Sequence, residues 1–119
     1  MATISKQELS GGTDGAGVKL ADTASPGTLI HTATSATGSG LYDEIWLWAV
    51  NTSTVSLQIT IQFGGTTAIT NDIIQVVNPA ETSLVLPGLV LQNSLVVRAY
   101  VEEAGDGLVS IQGFVNRIA

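Results

Sequence analysis

The stretch DEIWLWAVN, residues 43–51, places apolar side chains on both faces of a predicted β-strand. Successive residues of a strand point to opposite sides of the sheet. One face would carry Ile45, Leu47 and Ala49, and the other Trp46, Trp48 and Val50. Only one face can line the core of a two-layer fold. The sequence therefore predicts that another surface covers the second face. We expect that face to be the one with both tryptophans, the face with Ile45 and Leu47 being the alternative.

The composition favours a single domain whose surface is partly covered by other proteins. The chain has 119 residues and no cysteine, and this length can bury a core of its own. Its ten acidic and four basic residues give a net charge of −6, which argues against nucleic acid as a partner. Neither a secretory signal nor a membrane segment is expected. Charged residues make up 12% of the chain, about half the usual share, and so bare a surface is typical of a protein with protein partners.

The sequence divides near residue 27 into two predicted segments. Residues 1–26 are rich in glycine and small polar residues, which predicts a flexible, extended N-terminal arm. Residues 27–119 read as one domain of about eight short strands separated by turn-forming residues. No segment shows a helical period. The pattern predicts an all-β protein, an antiparallel β-sandwich with a jelly-roll-like topology.

The stretch VSLQITIQF, residues 55–63, is the clearest amphipathic strand of the chain. Its apolar face predicts a set of core residues: Val55, Leu57, Ile59, Ile61 and Phe63. Its other face is polar throughout, so this strand needs cover on one side only.

Catalytic and metal-binding groups are sparse. His31 is the single histidine and has no acidic neighbour in the sequence, so we interpret it as structural. The acidic pairs at 43–44 and 102–103 would each place one carboxylate on either face of a strand. The hairpin EEAGDG, residues 102–107, lacks the ligand spacing of a calcium loop. The sequence predicts a protein that is not an enzyme and has no cofactor or metal, with a small hydrolase of converging carboxylates as a minor alternative.

Aromatic and arginine side chains are the candidate contact residues, because these types contribute most to protein interfaces. The predicted oligomer or partner interface consists of Trp46, Trp48, Arg98, Tyr100 and Arg117. Arg98 lies among apolar neighbours, so we expect it to pair with a carboxylate, either within the chain or across an interface, and we expect Arg117 to act similarly. The alternative for the aromatic residues is an exposed platform on which sugar rings stack.

Several blocks of the sequence resemble small structural proteins of tailed bacteriophages, and the closest kind is the head decoration, or cement, protein. The blocks are YDEIWLWAVNTS at 42–53, FGGT at 63–66, LVLPGLVLQNSLVVRAYV at 84–101 and GFVNRIA at 113–119. They span most of residues 28–119. The likeness rests on the order of the blocks and not on a catalytic signature.

The resemblance implies a protein that binds the outside of an assembled icosahedral head and clamps neighbouring capsomers, commonly as a homotrimer. Its implied partners are further copies of itself and the major capsid protein, without nucleic acid or membrane. Its implied location is the outer capsid surface of the virion, after synthesis in the host cytoplasm. Because some decoration proteins have a different fold, the likeness does not fix the topology. The alternative function is a glycan- or receptor-binding β-sandwich module of a phage head fibre or tail.

Overall fold

The computed structural model describes residues 2–119, which form nine β-strands and two 3₁₀ turns. The strands are β1 (Ile4–Glu8), β2 (Val18–Lys19), β3 (Thr28–Thr32), β4 (Tyr42–Asn51), β5 (Leu57–Phe63), β6 (Asp72–Val77), β7 (Glu81–Leu91), β8 (Val96–Val101) and β9 (Val109–Ile118). The 3₁₀ turns are Ile69–Asn71 and Glu103–Gly105. No helix within residues 2–119 is long and apolar enough to cross a bilayer.

The strands form two sheets that pack face to face, which confirms the predicted all-β sandwich. Sheet 1 has the order β1-β9-β4-β7, with β2 also paired to β9, and sheet 2 has the order β3-β8-β5-β6. All pairings are antiparallel. From β2 onward the chain changes sheet at every connection except that between β5 and β6. This alternation is compatible with a jelly roll, which stays a prediction.

The core lies between the two sheets, and the aliphatic face of β4 is the one that is buried in it. Ile45, Leu47 and Ala49 are fully buried, so the tryptophan face of β4 is the outer face of sheet 1. Strand β5 contributes three of the five predicted core residues: Leu57, Ile59 and Ile61.

Two predicted core residues differ from the expectation. Val55 is 52% exposed and precedes β5, because a turn extends this far: its carbonyl accepts from Asn51 Nδ2 at 2.9 Å and its N–H donates to Ser53 Oγ at 3.2 Å. Phe63 ends β5 and packs only partly buried against the core. Alternation alone does not reveal where such a turn ends and a strand begins.

The structure does not confirm an N-terminal arm, because strands of this segment belong to sheet 1. Strand β1 pairs with β9 from Ile4↔Ile118 to Glu8↔Phe114, and β2 pairs with the same strand. Three aliphatic side chains of the segment lie in the core: Leu9, Val18 and Leu20. Val18 and Leu20 have the two-residue spacing of a strand, but the run is too short for a clear pattern, and Leu9 lies nine residues before it.

Glycine in this segment serves close packing. The Gly11 N–H donates to the Ile30 carbonyl at 2.9 Å. A Cβ at Gly11 would collide with the backbone of Leu29 and Ile30. The glycine therefore lets two backbones meet where any other residue would hold them apart.

Replacing Leu9 with alanine tests whether the N-terminal segment is part of the folded unit. Leu9 is 3% exposed and Ile4 is 75% exposed. We expect Leu9→Ala to lower the free energy of unfolding by about 2–4 kcal/mol, because it leaves a cavity in the core. The control Ile4→Ala should change it by less than about 0.5 kcal/mol. Urea unfolding measures both, and equal small effects would show a segment that does not contribute to the core.

Candidate interaction surface

The outer face of sheet 1 carries three neighbouring aromatic rings. Trp46 and Trp48 project from β4, and Phe114 lies opposite Trp46 on β9. The Phe114 ring is inclined by only 10° and 25° to the two indoles, with centroids 6.3 and 6.1 Å away. Such offset stacking is a favourable aromatic geometry. We refer to Trp46, Phe114 and Trp48 as the aromatic row.

Contacts on two sides fix the Trp46 indole. Its Nε1–H donates to Glu44 Oε1 at 2.7 Å, and the same oxygen accepts from Asn116 Nδ2 at 3.1 Å. These hydrogen bonds, that from Trp46 first, lower the pKa of Glu44. On the other side, a Cβ at Gly88 would lie 2.8 Å from the indole, and Gly88 has a φ of +74°. The polar group of the indole is thus satisfied within the chain, and its remaining surface is apolar.

Apolar side chains of β7 extend the aromatic row. These exposed residues are Leu84, Pro87 and Val90, which lie opposite outer-face residues of β4. On the β1 side, Lys6 Nζ lies 4.8 Å from the centroid of Phe114, a cation–π distance. We refer to the aromatic row together with Leu84, Pro87 and Val90 as the outer patch. It is an apolar surface bordered by the charged side chains of Lys6, Glu8 and Glu44.

The five residues predicted to form one interface lie in three places. Trp46 and Trp48 belong to the outer patch. Arg98 and Tyr100 lie on β8, opposite outer-face residues of β5, so they occupy the other side of the sandwich. Strands β4 and β8 have the same alternation, and the sequence does not show that they belong to different sheets.

The two predicted arginine pairings have different outcomes. Arg98 Nη1 donates to the carbonyl oxygen of Gly27 at 3.0 Å, and none of the ion pairs among residues 2–119 includes it. Arg117 does pair with a carboxylate, that of Asp43. Its Nε lies 2.8 Å from Asp43 Oδ1 and its Nη2 lies 2.9 Å from Oδ2. Arg117 therefore pairs within the chain, and its side chain remains 32% exposed.

Asp43 is the centre of a buried polar cluster that links the two sheets. It is fully buried on β4 of sheet 1, and His31 comes from β3 of sheet 2. His31 Nε2 lies 2.7 Å from Asp43 Oδ2, and the Thr34 N–H donates to the same oxygen at 3.1 Å. We refer to His31, Asp43 and Arg117 as the polar cluster.

His31 uses both of its ring nitrogens. Nδ1 accepts the Ser10 N–H at 3.0 Å, so the proton of a neutral ring lies on Nε2 and is donated to Asp43. Burial lowers the pKa of His31, although the hydrogen bond and the charge of Asp43 act in the opposite direction. The ring is therefore neutral at pH 7 and holds the N-terminal segment to β4. Neither nitrogen is free to take a proton from a substrate.

The carboxylate of Asp43 stays ionised in spite of its burial. Desolvation is the largest single effect and acts to raise the pKa of Asp43, but the hydrogen bonds and electrostatic attraction of Arg117 and His31 together lower the pKa below its usual value. Those same hydrogen bonds from Arg117 to Asp43 raise the pKa of the guanidinium. With every oxygen of Asp43 bound, the chemistry of the cluster is structural: it joins β3, β4, β9 and Ser10.

The remaining acidic residues do not converge. Glu44 points to the outer face while Asp43 is buried, as the alternation predicts. In the hairpin at 102–107, Glu102 Oε1 accepts the Gln58 N–H at 2.7 Å. Within residues 2–119, no group of three His, Asp or Glu side chains is arranged to hold a metal ion. The same residues enclose no ligand-sized cavity.

Phe114 is a surface residue that is absent from the predicted contact set. Its signal is present in the sequence: it shares the parity of Gln112 and Asn116 on β9, which are polar and therefore face outward. The pairing of His31 with Asp43 has no such signal, since it joins strands of different sheets.

Comparison of the chain with protein-family models, with curated proteins and with solved structures gave no match. The outer patch and the polar cluster are therefore interpreted from their own chemistry.

The polar cluster predicts a loss of stability in weak acid. Because the pKa of His31 is lower in the folded chain than its ordinary value of 6.5, the unfolded chain binds a proton first as the pH falls. The stabilisation is complete above pH 6.5 and decreases as the pH falls below that value toward the folded pKa. We expect the free energy of unfolding, measured in urea, to be smaller at pH 5 than at pH 7.

The variant His31→Gln isolates this effect. A glutamine amide can donate to Asp43 and accept from Ser10, but it does not titrate. Since His31 is the only histidine, the variant should lose most of the stability difference between pH 7 and pH 5. An unchanged pH dependence in the variant would assign the effect to other groups.

Proposed function

We propose that this chain is a viral structural protein that decorates and stabilises the outer surface of an icosahedral phage capsid, binding between capsomers as an oligomer. The observation that carries the proposal is the outer patch. It is an aromatic, apolar surface on the outside of a sheet whose inner face already lines the core. The resemblance to head decoration proteins supplies the kind of assembly.

The outer patch has the physical properties of a binding surface. Burying apolar surface contributes about 25 cal/mol per Å², and tryptophans offer more of it than other side chains. The Trp46 indole is already fixed by its hydrogen bond to Glu44 and by its close packing against Gly88. Binding would therefore immobilise few additional side-chain torsions. On a symmetric capsid, repeated contacts would add through avidity.

The net charge of the chain favours a position on the outside of a phage head rather than in its interior. A net charge of −6 is repelled by packaged DNA, whereas the outside of a capsid presents no such field. In this proposal the partners are the major capsid protein and further copies of the chain. The resemblance implies a trimer, and light scattering distinguishes it from other states through multiples of the 12.3 kDa chain mass.

Alanine variants on the two faces of the sandwich test the proposal. Trp48 lies in the outer patch, and Tyr100 is a partly buried aromatic residue on the opposite face. We expect Trp48→Ala to raise the Kd for heads of the phage that encodes this chain at least about tenfold, as for a central interface aromatic. Tyr100→Ala is the matched control and should leave the Kd within about twofold. Co-sedimentation of purified chain with heads measures both.

If the two variants weakened binding to heads equally, the outer patch would be excluded as the binding surface. Wild-type chain that does not sediment with such heads, and does not occur in purified virions by mass spectrometry, would overturn the proposed function itself. Circular dichroism of each variant establishes that the loss concerns binding and not folding.

A glycan-binding module of a head fibre or tail is the second candidate, and the partial exposure of both indoles favours it. Exposed aromatic rings can stack on the apolar faces of sugars. Both tryptophans of the chain lie in the outer patch, so the fluorescence of this chain, measured as the difference between decorated and undecorated heads, reports on this surface. For a decoration protein we expect acrylamide quenching to fall when the chain binds heads. Quenching that stays strong on the particle and falls when host glycans are added would favour the platform.

A further inference from the structure

The two sheets have four edges. In sheet 1, β1 and the two-residue β2 form one edge and β7 the other, and in sheet 2 the edges are β3 and β6. An edge strand exposes main-chain N–H and C=O groups that can pair with a strand of another molecule. Proteins usually prevent this with charged residues, proline, β-bulges or a covering segment.

Three of the four edges carry such a device. Strand β1 has Lys6 and Glu8 along its five residues. Strand β7 contains Pro87, and its pairing with β4 shifts register twice. Strand β3 has a register shift of its own, and it is covered by the N-terminal segment, where Ser10 Oγ accepts the Thr32 N–H at 2.7 Å.

The fourth edge, β6, has none of these devices. It pairs with β5 in unbroken register over its six residues, which include no proline and one charge, Asp72 at its start. From residue 73 to residue 97, Glu81 is the only charged residue. Ile74 and Val76 are 60% and 53% exposed on the outer face of sheet 2. An apolar edge with an unbroken register favours strand addition.

The hydrogen-bonding pattern shows which groups of β6 point outward. The N–H and C=O of Gln58 on β5 both bind Glu102, on the β8 side. Directions alternate along a strand, so Ile59 and Ile61 face β6 and bind Gln75 and Ile73. The main-chain groups of Asp72, Ile74 and Val76 therefore point away from β5. The Asp72 N–H binds the Ile69 carbonyl, which leaves Ile74 and Val76 available to a partner strand. The Val76 carbonyl accepts the Gln75 side-chain amide at 3.1 Å, a local contact that a partner strand can replace.

We propose that β6 pairs with β6 of a second copy of this chain, antiparallel about a two-fold axis at Gln75. Ile74 would exchange main-chain hydrogen bonds with Val76 of the second copy, and the two apolar side chains would cover each other on one face. The inference rests on the self-association included in the proposed function and names its surface. A two-fold contact produces dimers, which replace the trimer implied by the resemblance.

The distribution of charge along β6 favours β6 of a second copy as the partner strand, and it favours the antiparallel orientation. In an antiparallel pair the two Asp72 side chains lie at opposite ends of the contact, whereas a parallel pair would place them side by side. Like charges directly opposite each other destabilise a strand pair. The rest of β6 is uncharged, so two copies meet without an unpaired charge between them.

A cysteine at the axis tests the pairing directly. The chain contains no cysteine, so a single Gln75→Cys substitution introduces the only thiol. In the proposed register, residue 75 faces itself in a non-hydrogen-bonded pair with Cα atoms about 4.5 Å apart, within the range of a disulfide. We expect mild oxidation to convert this variant to a covalent dimer at least about tenfold faster than Val55→Cys, an exposed position in the turn before β5 that does not face the second copy in the proposed register.

A matched pair of charge variants tests the same edge without cross-linking. Val76 and Val55 are 53% and 52% exposed, and Val55 lies outside every strand. Wild-type chain should scatter light as twice the 12.3 kDa chain mass. Val76→Lys should raise the dimer dissociation constant at least about tenfold, because a lysine faces an apolar residue across the pair, while Val55→Lys should leave it unchanged.

The outcomes separate this inference from the proposed function. An oligomer that persists in Val76→Lys, with no preferential cross-linking at residue 75, would overturn the β6 contact and leave self-association standing. A species of three chain masses would likewise exclude the two-fold contact. A wild-type monomer at micromolar concentration would remove self-association as well. If that monomer bound heads and the Val76→Lys substitution abolished this binding, the β6 edge would be a contact site for the capsid protein and not for a second copy.

Discussion

Strand β4 is the constraint on which the rest of the structure depends, because it lies inside sheet 1 and serves two apolar environments. It pairs with β9 along its whole length on one side and with β7 on the other. A slip of one residue would exchange its faces and turn both indoles toward the core. The interior of the sandwich is filled by aliphatic side chains such as Ile45 and Leu47, so it has no room for them. The same alternation that builds the core therefore places the aromatic row outside.

A buried charge fixes the position of β4 at its beginning. Asp43 receives hydrogen bonds from Arg117, from His31 and from the Thr34 N–H. Breaking a buried pair by removing one partner costs about 3–5 kcal/mol, and a shifted β4 would impose that penalty. The hydrophobic core stabilises many arrangements of similar strands, whereas the polar cluster is satisfied in only one. Because His31 also binds the Ser10 N–H, the polar cluster fixes the position of the N-terminal segment as well.

The sequence was sufficient for the fold class and for the buried face of β5, because both follow from alternation. For β4, whose two faces are both apolar, alternation left open which face is buried. It was insufficient wherever two distant segments meet. The burial of Val18 and Leu20 depends on a strand that lies about ninety residues further along the chain. The separation of Tyr100 from Trp48 depends on which sheet each strand joins. Phe114 had a usable local signal, its parity with polar residues, whereas the partner of His31 had none.

The outer patch and the β6 edge use different physical interactions and lie in different sheets. Pairing through β6 relies on main-chain hydrogen bonds, which are directional and set a register. Contact through the outer patch relies on rigid aromatic surface, which tolerates a less regular partner. Occupation of one surface does not cover the other, so a dimer joined through β6 would still present two outer patches. Two linked patches bind a repeating lattice with an effective concentration that a single patch lacks. A modest contact at each of the two surfaces is therefore enough for stable attachment, provided that the spacing of the patches matches that of the sites beneath them.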